Sequence, residues 1–321
     1  MAEDTDALRD VVIIGAGAAG LSAALTLVRA RRAVTLVDAG QPRNAPAEAV
    51  HGLLGHEGIR PDRLLARGRE EVRGYGGEIV DDEGIGVTRD DTGFTLNLSG
   101  AGPIRSRTLL IATGLVDELP AIPGVREQWG HGVLHCPYCH GWEVRDSRIG
   151  VLVTDPMAVH KAFLFRQWSA NVMLFAGDHR LTEDEQTKLE ALDIPVIDGG
   201  IDSLEIVEDR LTGVRLDDGN VVAVDAAVVA TPMVARSELF SGIGLEPTSH
   251  PAGAFIETDA FGQTAMPGVW AAGNATDIGA QVSGAAAAGA LAAQHINSIL
   301  INEDLDLAVE QLEAWRAGRV G

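Results

Sequence analysis

The sequence predicts an α/β protein of two parallel-sheet nucleotide-binding domains, the second inserted into the first. Three observations predict it. A glycine-punctuated strand, turn, helix and strand open the chain; a second strand–helix–strand series begins near residue 149; and an apolar strand with a small-residue exit returns at residues 268–274.

Val11–Ile14 is a short apolar run, followed by Gly15-Ala16-Gly17-Ala18-Ala19-Gly20, a helical pattern over Leu21–Arg31 and a second apolar run, Ala33–Val37, closing on Asp38. Gly15 allows the tight turn, Gly17 lets the backbone approach a pyrophosphate, and Gly20 lets helix and strand pack closely, with the helix N-terminus facing the phosphates. Ala18 and Ala19 supply the intervening backbone. Asp38 is then the acid for a ribose hydroxyl, with Ala39 and Arg43 beyond it as further cofactor-binding candidates.

Two later strands end the same way: Thr108–Ile111 runs into Ala112-Thr113-Gly114, and Gly268–Ala272 runs into Gly273-Asn274. Either one alone reads equally well as a buried strand with a glycine exit. Combined with the opening fingerprint they give the FAD layout of flavoproteins with two dinucleotide domains, in which the flavin domain is discontinuous. Gln281 and Val282 then lead into an Ala-rich terminal helix, Ala285–Asn297. These segments set the expected domains at 1–116 with 243–321 for FAD, and 117–242 as the inserted pyridine-nucleotide-type domain.

The insert reads as strand Ile149–Val153, helix Pro156–Ser169, strand Val172–Phe175, a meander at Leu204–Val207, Gly213–Leu216 and Val221–Val224, and a closing strand Ala226–Ala230. Lys plus Arg number 25 against 46 Asp plus Glu, a net charge of −21 that repels phosphate backbones and anionic lipid. Nucleic-acid and membrane-surface roles are therefore not expected. Val11–Val28 is uncharged for eighteen residues, but Gly15, Gly17 and Gly20 mark it as the nucleotide turn rather than a membrane span. The acidic first ten residues lack the basic character of an export leader, so a cytoplasmic protein is expected.

The two cysteines form Cys136-Pro137-Tyr138-Cys139. Three chemistries compete for a CxxC: a redox disulfide, half of a zinc site using His131, His135 or His140, and, because His140 follows, c-type haem attachment. Structural zinc sites present well-separated ligand pairs, and haem attachment normally needs export, so the redox pair beside a flavin leads and no metal is expected. His140 has the chemistry of a general base near neutral pH, with His135 as an alternative. His140 also reads as an ordinary helix-start histidine. Trp142 and Glu143 are expected to shape the local fold, and Trp129, His131, Leu53 and Leu54 to line a pocket or pack in the core.

These pieces together resemble the low-molecular-weight thioredoxin reductase family over essentially the whole chain: Gly15–Gly20, Ala112-Thr113-Gly114, Cys136–Gly141 and Gly268–Asp277 occur in the family's order. The resemblance implies a homodimer of Rossmann-like FAD and pyridine-nucleotide domains, with Cys139 against the flavin and Cys136 exchanging with substrate. Three departures stand out. His140 replaces the acid that follows the second cysteine, and Gly273-Asn274 replaces Gly-Asp. After Ile149–Val153 the second glycine fingerprint is missing, replaced by Thr154-Asp155-Pro156-Met157-Ala158.

Asp155 followed by Pro156 predicts a self-capped helix start whose carboxylate occupies the place of a pyrophosphate. Where two arginines would grip a 2′-phosphate stand Ala176-Gly177-Asp178-His179-Arg180. These departures resemble the dithiol oxidase branch, which closes disulfides in gliotoxin- and holomycin-type natural products. The expectation is an FAD-dependent oxidase of a small-molecule dithiol, with O2 as acceptor. An NADPH-dependent disulfide reductase and a non-catalytic flavin-binding partner are the alternatives.

Overall fold

The computed structural model describes residues 8–155 and 157–317. The chain divides into two compact units. One comprises the chain through Arg43, Asp62–Val116 and everything from Val234 onward; the other comprises Asn44–Pro61 and Asp117–Met233.

The first unit is built on a seven-stranded sheet. β1 (Arg9–Ile14), α1 (Ala18–Arg29), β2 (Val34–Asp38), α2 (Pro61–Gly74) and β3 (Glu78–Asp81) lead to an antiparallel pair, β4 (Gly84–Asp90) and β5 (Gly93–Leu98), and then β6 (Ile104–Ile111). The strand order is β3-β2-β1-β6-β5-β4, with Val269–Ala271 also paired to β6. β1 is parallel to β2 and β6, which explains its unbroken run of buried Val11, Val12, Ile13 and Ile14: both of its faces are covered.

One cover is the layer of α1 and the last helix, α6 (Val282–Ala317). Small residues let these two approach closely; a Cβ on Gly289 would overlap the Ala19 carbonyl oxygen. Trp270, Leu27, Leu36, Ala293 and Ile296 fill this side, while Phe94, Leu96, Phe240 and Ile256 fill the other. By length and composition α6 is apolar enough to cross a membrane, and its buried residues Ala285, Gly289, Ala292, Ala293, Ile296 and Leu300 all lie in its first nineteen positions.

The second unit carries a five-stranded parallel sheet in the order Val196–Ile197, Val172–Phe175, Ile149–Leu152, Ala226–Val229, Val133–Leu134. Helices α3 (Pro137–His140), α4 (Ala158–Phe165) and α5 (Glu183–Ala191) belong to it. So does an antiparallel meander of Ile201–Val207, Arg210–Leu216 and Val221–Ala223. Its first hairpin turns on Glu208 and Asp209, both at positive φ, the backbone a two-residue primed turn needs.

Several elements differ from expectation. The return to the first unit falls at Val234, earlier than 243, because Phe240 and Ile243 pack with Val87 and Leu96, and Gly242 lies where a Cβ would press on the Val87 carbonyl. Residues 44–61 join the second unit, where Pro46 packs on Gly130. The helix expected over 156–169 is described from Ala158 and ends at Phe165. Ser169 then turns the chain, donating to the Ser147 carbonyl at 2.6 Å and accepting from the Asn171 N–H at 3.0 Å. Pro156 lies outside the described residues. The terminal helix runs twenty residues past Asn297, since no Gly or Pro falls between Asn297 and Ala317.

Candidate active site

In the first unit the cradle after β1 is made of backbone. Gly15 has φ +107°, and a Cβ there would overlap the Ala112 carbonyl; one on Gly20 would overlap the Gly15 carbonyl. A Cβ on Gly17 would instead meet nothing within 4 Å. Gly17 is the N-cap of α1 and no side chain caps it, so the first N–H groups of the helix, at Ala18, Ala19 and Gly20, are left to a ligand, with the positive end of the helix dipole behind them. This cradle fits a pyrophosphate.

Asp38 ends β2. Its Oδ1 accepts from the Ala16 N–H at 3.2 Å and its Oδ2 from Arg69 at 2.8 Å, which leaves lone pairs for a ribose hydroxyl. Arg69, on α2, also pairs with Asp81, a bridge that sequence spacing did not reveal. Ala39 is exposed and Arg43 half-buried just beyond.

The other two glycine exits lie in the same unit. The Ala112 N–H donates to the Ile14 carbonyl at 2.8 Å, the Thr113 hydroxyl donates to the Arg236 carbonyl at 2.8 Å, and Gly114 has φ +67°. Gly273, at φ +75°, packs on Ala19. Asn274 donates its amide hydrogens to the carbonyls of Asp277 and Ala280, at 3.0 and 2.9 Å, so of the amide only its oxygen is left to meet a ligand. Gln281 accepts from the Ala285 N–H at 2.8 Å and so begins α6 at Val282.

In the second unit Cys136 precedes α3, with Pro137 in the first turn setting its φ. The Cys139 and His140 N–H groups both donate to the Cys136 carbonyl at 3.2 Å, and this tight turn brings Cys139 Sγ to 2.7 Å from Cys136 Sγ as a donor. That thiol hydrogen bond is the main reason the Cys136 thiol is lowered from 9.0 to about 6; burial opposes it, while the N–H groups of Cys139 and Tyr138 and the Lys161 charge assist. Cys136 is therefore the thiolate of the pair at neutral pH.

His140 is half-buried, and both of its ring nitrogens are buried without a hydrogen-bond partner. Burial pushes its pKa below 6.5, with Glu143 opposing and His51 and His131 assisting. A neutral imidazole on the residue after Cys139 has the chemistry to take a proton.

His135, the alternative base, presents its carbonyl to Lys161 Nζ at 2.7 Å. Lys161 escaped the sequence reading because twenty-five residues separate it from Cys136. His51 was missed likewise: its Nδ1 lies 2.6 Å from Glu57 and its Nε2 3.4 Å from Glu143. Trp142 does not pack into the fold as expected; it is 65% exposed, with the Arg145 guanidinium 4.4 Å above its ring. Trp129 packs on the core of this unit, Leu53 is half-buried, and Leu54 and His131 are exposed.

The second unit's own nucleotide turn is closed by its side chains. Thr154 donates its hydroxyl to the Ala230 carbonyl at 2.9 Å, and the Asp155 carboxylate accepts from the Met157 N–H at 2.8 Å. Asp155 thus binds ahead of α4 rather than as its N-cap, which is Met157, because the helix starts two residues later than the sequence pattern suggests. Asp178 and Arg180 are exposed. Among the described residues no group of three or more His, Cys, Asp or Glu is gathered to hold a metal ion.

Comparison with known proteins agrees with this geometry. Residues 9–290 match the model of the pyridine nucleotide-disulphide oxidoreductase family. The chain is 29% identical to thioredoxin reductase tcpT of Claviceps purpurea, covering 92% of this chain and 96% of that one. It is 30% identical to thioredoxin reductase sirT of Leptosphaeria maculans, covering 92% and 95%. The crystal structure of HlmI superposes with a TM-score of 0.91 at 46% identity, over 95% of this chain and 96% of HlmI. With an open glycine cradle in one unit and a thiol pair in the other, the chain belongs to the pyridine nucleotide-disulphide oxidoreductase family and is an FAD-binding oxidoreductase of thioredoxin reductase-like fold.

Proposed function

We propose that the protein is a dithiol oxidase that closes a disulfide in a small-molecule dithiol: R(SH)2 + O2 gives RS2 + H2O2. The observation that favours this over a nucleotide-fed reductase is the second turn, where the Asp155 carboxylate takes an N–H group that would otherwise face a phosphate. Its negative charge also repels one.

The cycle starts from the Cys136–Cys139 disulfide. A substrate thiolate attacks Cys136 Sγ and Cys139 leaves as a thiolate. His140 then takes the proton of the second substrate thiol, which attacks the substrate sulfur of the mixed disulfide and expels Cys136. The depressed Cys136 pKa favours that step, because a lower-pKa thiol leaves faster. Gly15–Gly20, Asp38, Ala112–Gly114 and Gly273–Asn274 would hold FAD, which when bound would supply the two-electron acceptor that a dithiol needs, with dioxygen as the proposed final acceptor. The same reading carries a homodimer acting in the cytoplasm, apart from nucleic acid and membrane; the net charge of −21 supports only the last part, since it repels phosphate backbones and anionic lipid.

The names of the fungal relatives favour a second reading, an NADPH-dependent disulfide reductase. Anaerobic mixing separates the two. A small dithiol is expected to bleach the flavin, and air to restore its colour with formation of hydrogen peroxide, while NADPH acts far more slowly. Bleaching within seconds by millimolar NADPH would replace the oxidase with the reductase.

A further inference from the structure

His140 is a base without an outlet of its own. Both ring nitrogens are buried with no hydrogen-bond partner, so a proton taken from a substrate thiol passes neither to bulk water nor to a bonded neighbour. A base that keeps its proton works once. The backbone places an acceptor one turn away. Gly141 continues the helical geometry of α3 at φ −62° and ψ −34°, and the Val144 N–H donates to the His140 carbonyl at 3.3 Å, so Glu143 follows His140 on the same face.

Glu143 is the inner end of a line of titratable groups within the second unit. Its Oε1 lies 3.4 Å from His51 Nε2, and His51 Nδ1 lies 2.6 Å from Glu57 Oε1. The Gly52 N–H holds the other Glu57 oxygen at 2.8 Å, and the Glu57 side chain is 64% exposed. Val50 and Ile59 pair across the neck of the loop that carries His51 and Glu57. A carboxylate binds a proton about two units less tightly than an imidazole, so Glu143 alone is an uphill acceptor from His140. A second imidazole behind it, between two carboxylates, removes the climb, and it can take a proton on one nitrogen while releasing one from the other. His131 also acts on the charge of His140, but it is exposed and turns its Nδ1 to the Trp129 carbonyl at 3.3 Å, off this line.

We propose that Glu143, His51 and Glu57 form a relay that carries the proton of His140 to solvent, His51 and Glu57 being positioning residues that act through Glu143. The proton leaves the second substrate thiol for His140, moves to Glu143, enters His51 at Nε2 as another leaves from Nδ1, and passes by Glu57 to water. Only bonds to hydrogen change, and dioxygen takes up two protons from water on becoming peroxide, so none accumulates. The inference rests on the dithiol oxidase reading, in which every turnover strips thiol protons.

Anaerobic flavin bleaching of the holoprotein by a small dithiol at pH 7 tests it, with His51→Gln and Glu57→Gln followed at rising imidazole concentration. Free imidazole near its own pKa collects a proton that a broken relay strands. Wild type is expected to bleach at a rate that imidazole leaves unchanged. His51→Gln is expected to be slower by about tenfold, less than loss of the base itself, and to recover as imidazole rises. Glu57→Gln, at an exposed position that keeps its size, is expected to be slowed less and to recover likewise. Wild-type rates in both variants, or a deficit that imidazole does not lessen, would make the pair a loop staple and overturn the relay. A wild type that no dithiol bleaches would overturn the oxidase reading and the relay together, so the two failures are told apart.

Discussion

The two units solve the same local problem, a parallel strand running into a helix, with opposite materials. After β1 the turn is backbone alone: two glycines admit no side chain, a third faces open space, and α1 begins uncapped. After Ile149–Leu152 side chains close the turn, with Thr154 bound to Ala230 and Asp155 to Met157. The second unit places its chemistry elsewhere, in the side chains of Cys136, Cys139 and His140. A site made of backbone is broken by adding atoms, and a site made of side chains by removing them.

The largest effect expected is from Gly20→Ala. Its methyl overlaps the Gly15 carbonyl, so folding itself should fail, read as loss of the cooperative thermal transition. Gly17→Val has room and should fold, yet purify without flavin because the side chain fills the pyrophosphate space. A yellow Gly17→Val protein would break the contrast between the two turns.

Removal is the corresponding test in the second unit. Cys139→Ser should abolish dithiol turnover while flavin stays bound. His140→Ala should lower the rate on the order of 10². A loss of less than about threefold would return that histidine to a packing role.

The smallest effect concerns proton affinity. Alkylation of reduced Cys136 should be half-maximal near pH 6, where an ordinary thiol requires about pH 9. Cys139→Ala removes the main cause and should move the midpoint up; Lys161→Met removes a lesser one and should move it less. The sign carries to stability: a depressed thiol pKa contributes in full above pH 9 and is lost as the pH falls through about 6. A midpoint unmoved in Cys139→Ala would sever the link between the sulfur contact and the thiolate.

What the sequence determined by itself was whatever local chemistry dictates. Glycine spacing specified the first turn, since only those residues admit the backbone there, and Cys-Pro-x-Cys set both thiols on one short turn. The apolar runs marked the parallel strands because strands covered on both faces have no alternation to hide them. Tertiary structure decided what depends on residues far apart in the chain: that residues 44–61 and 117–233 form one unit, that the thiol pair gains Lys161, and that Arg69 clamps Asp38. It also left both nitrogens of His140 buried and bare, and exposed the end of α6. Burial and long-range pairing are properties of the packed chain, and no local pattern encodes which distant side chain arrives.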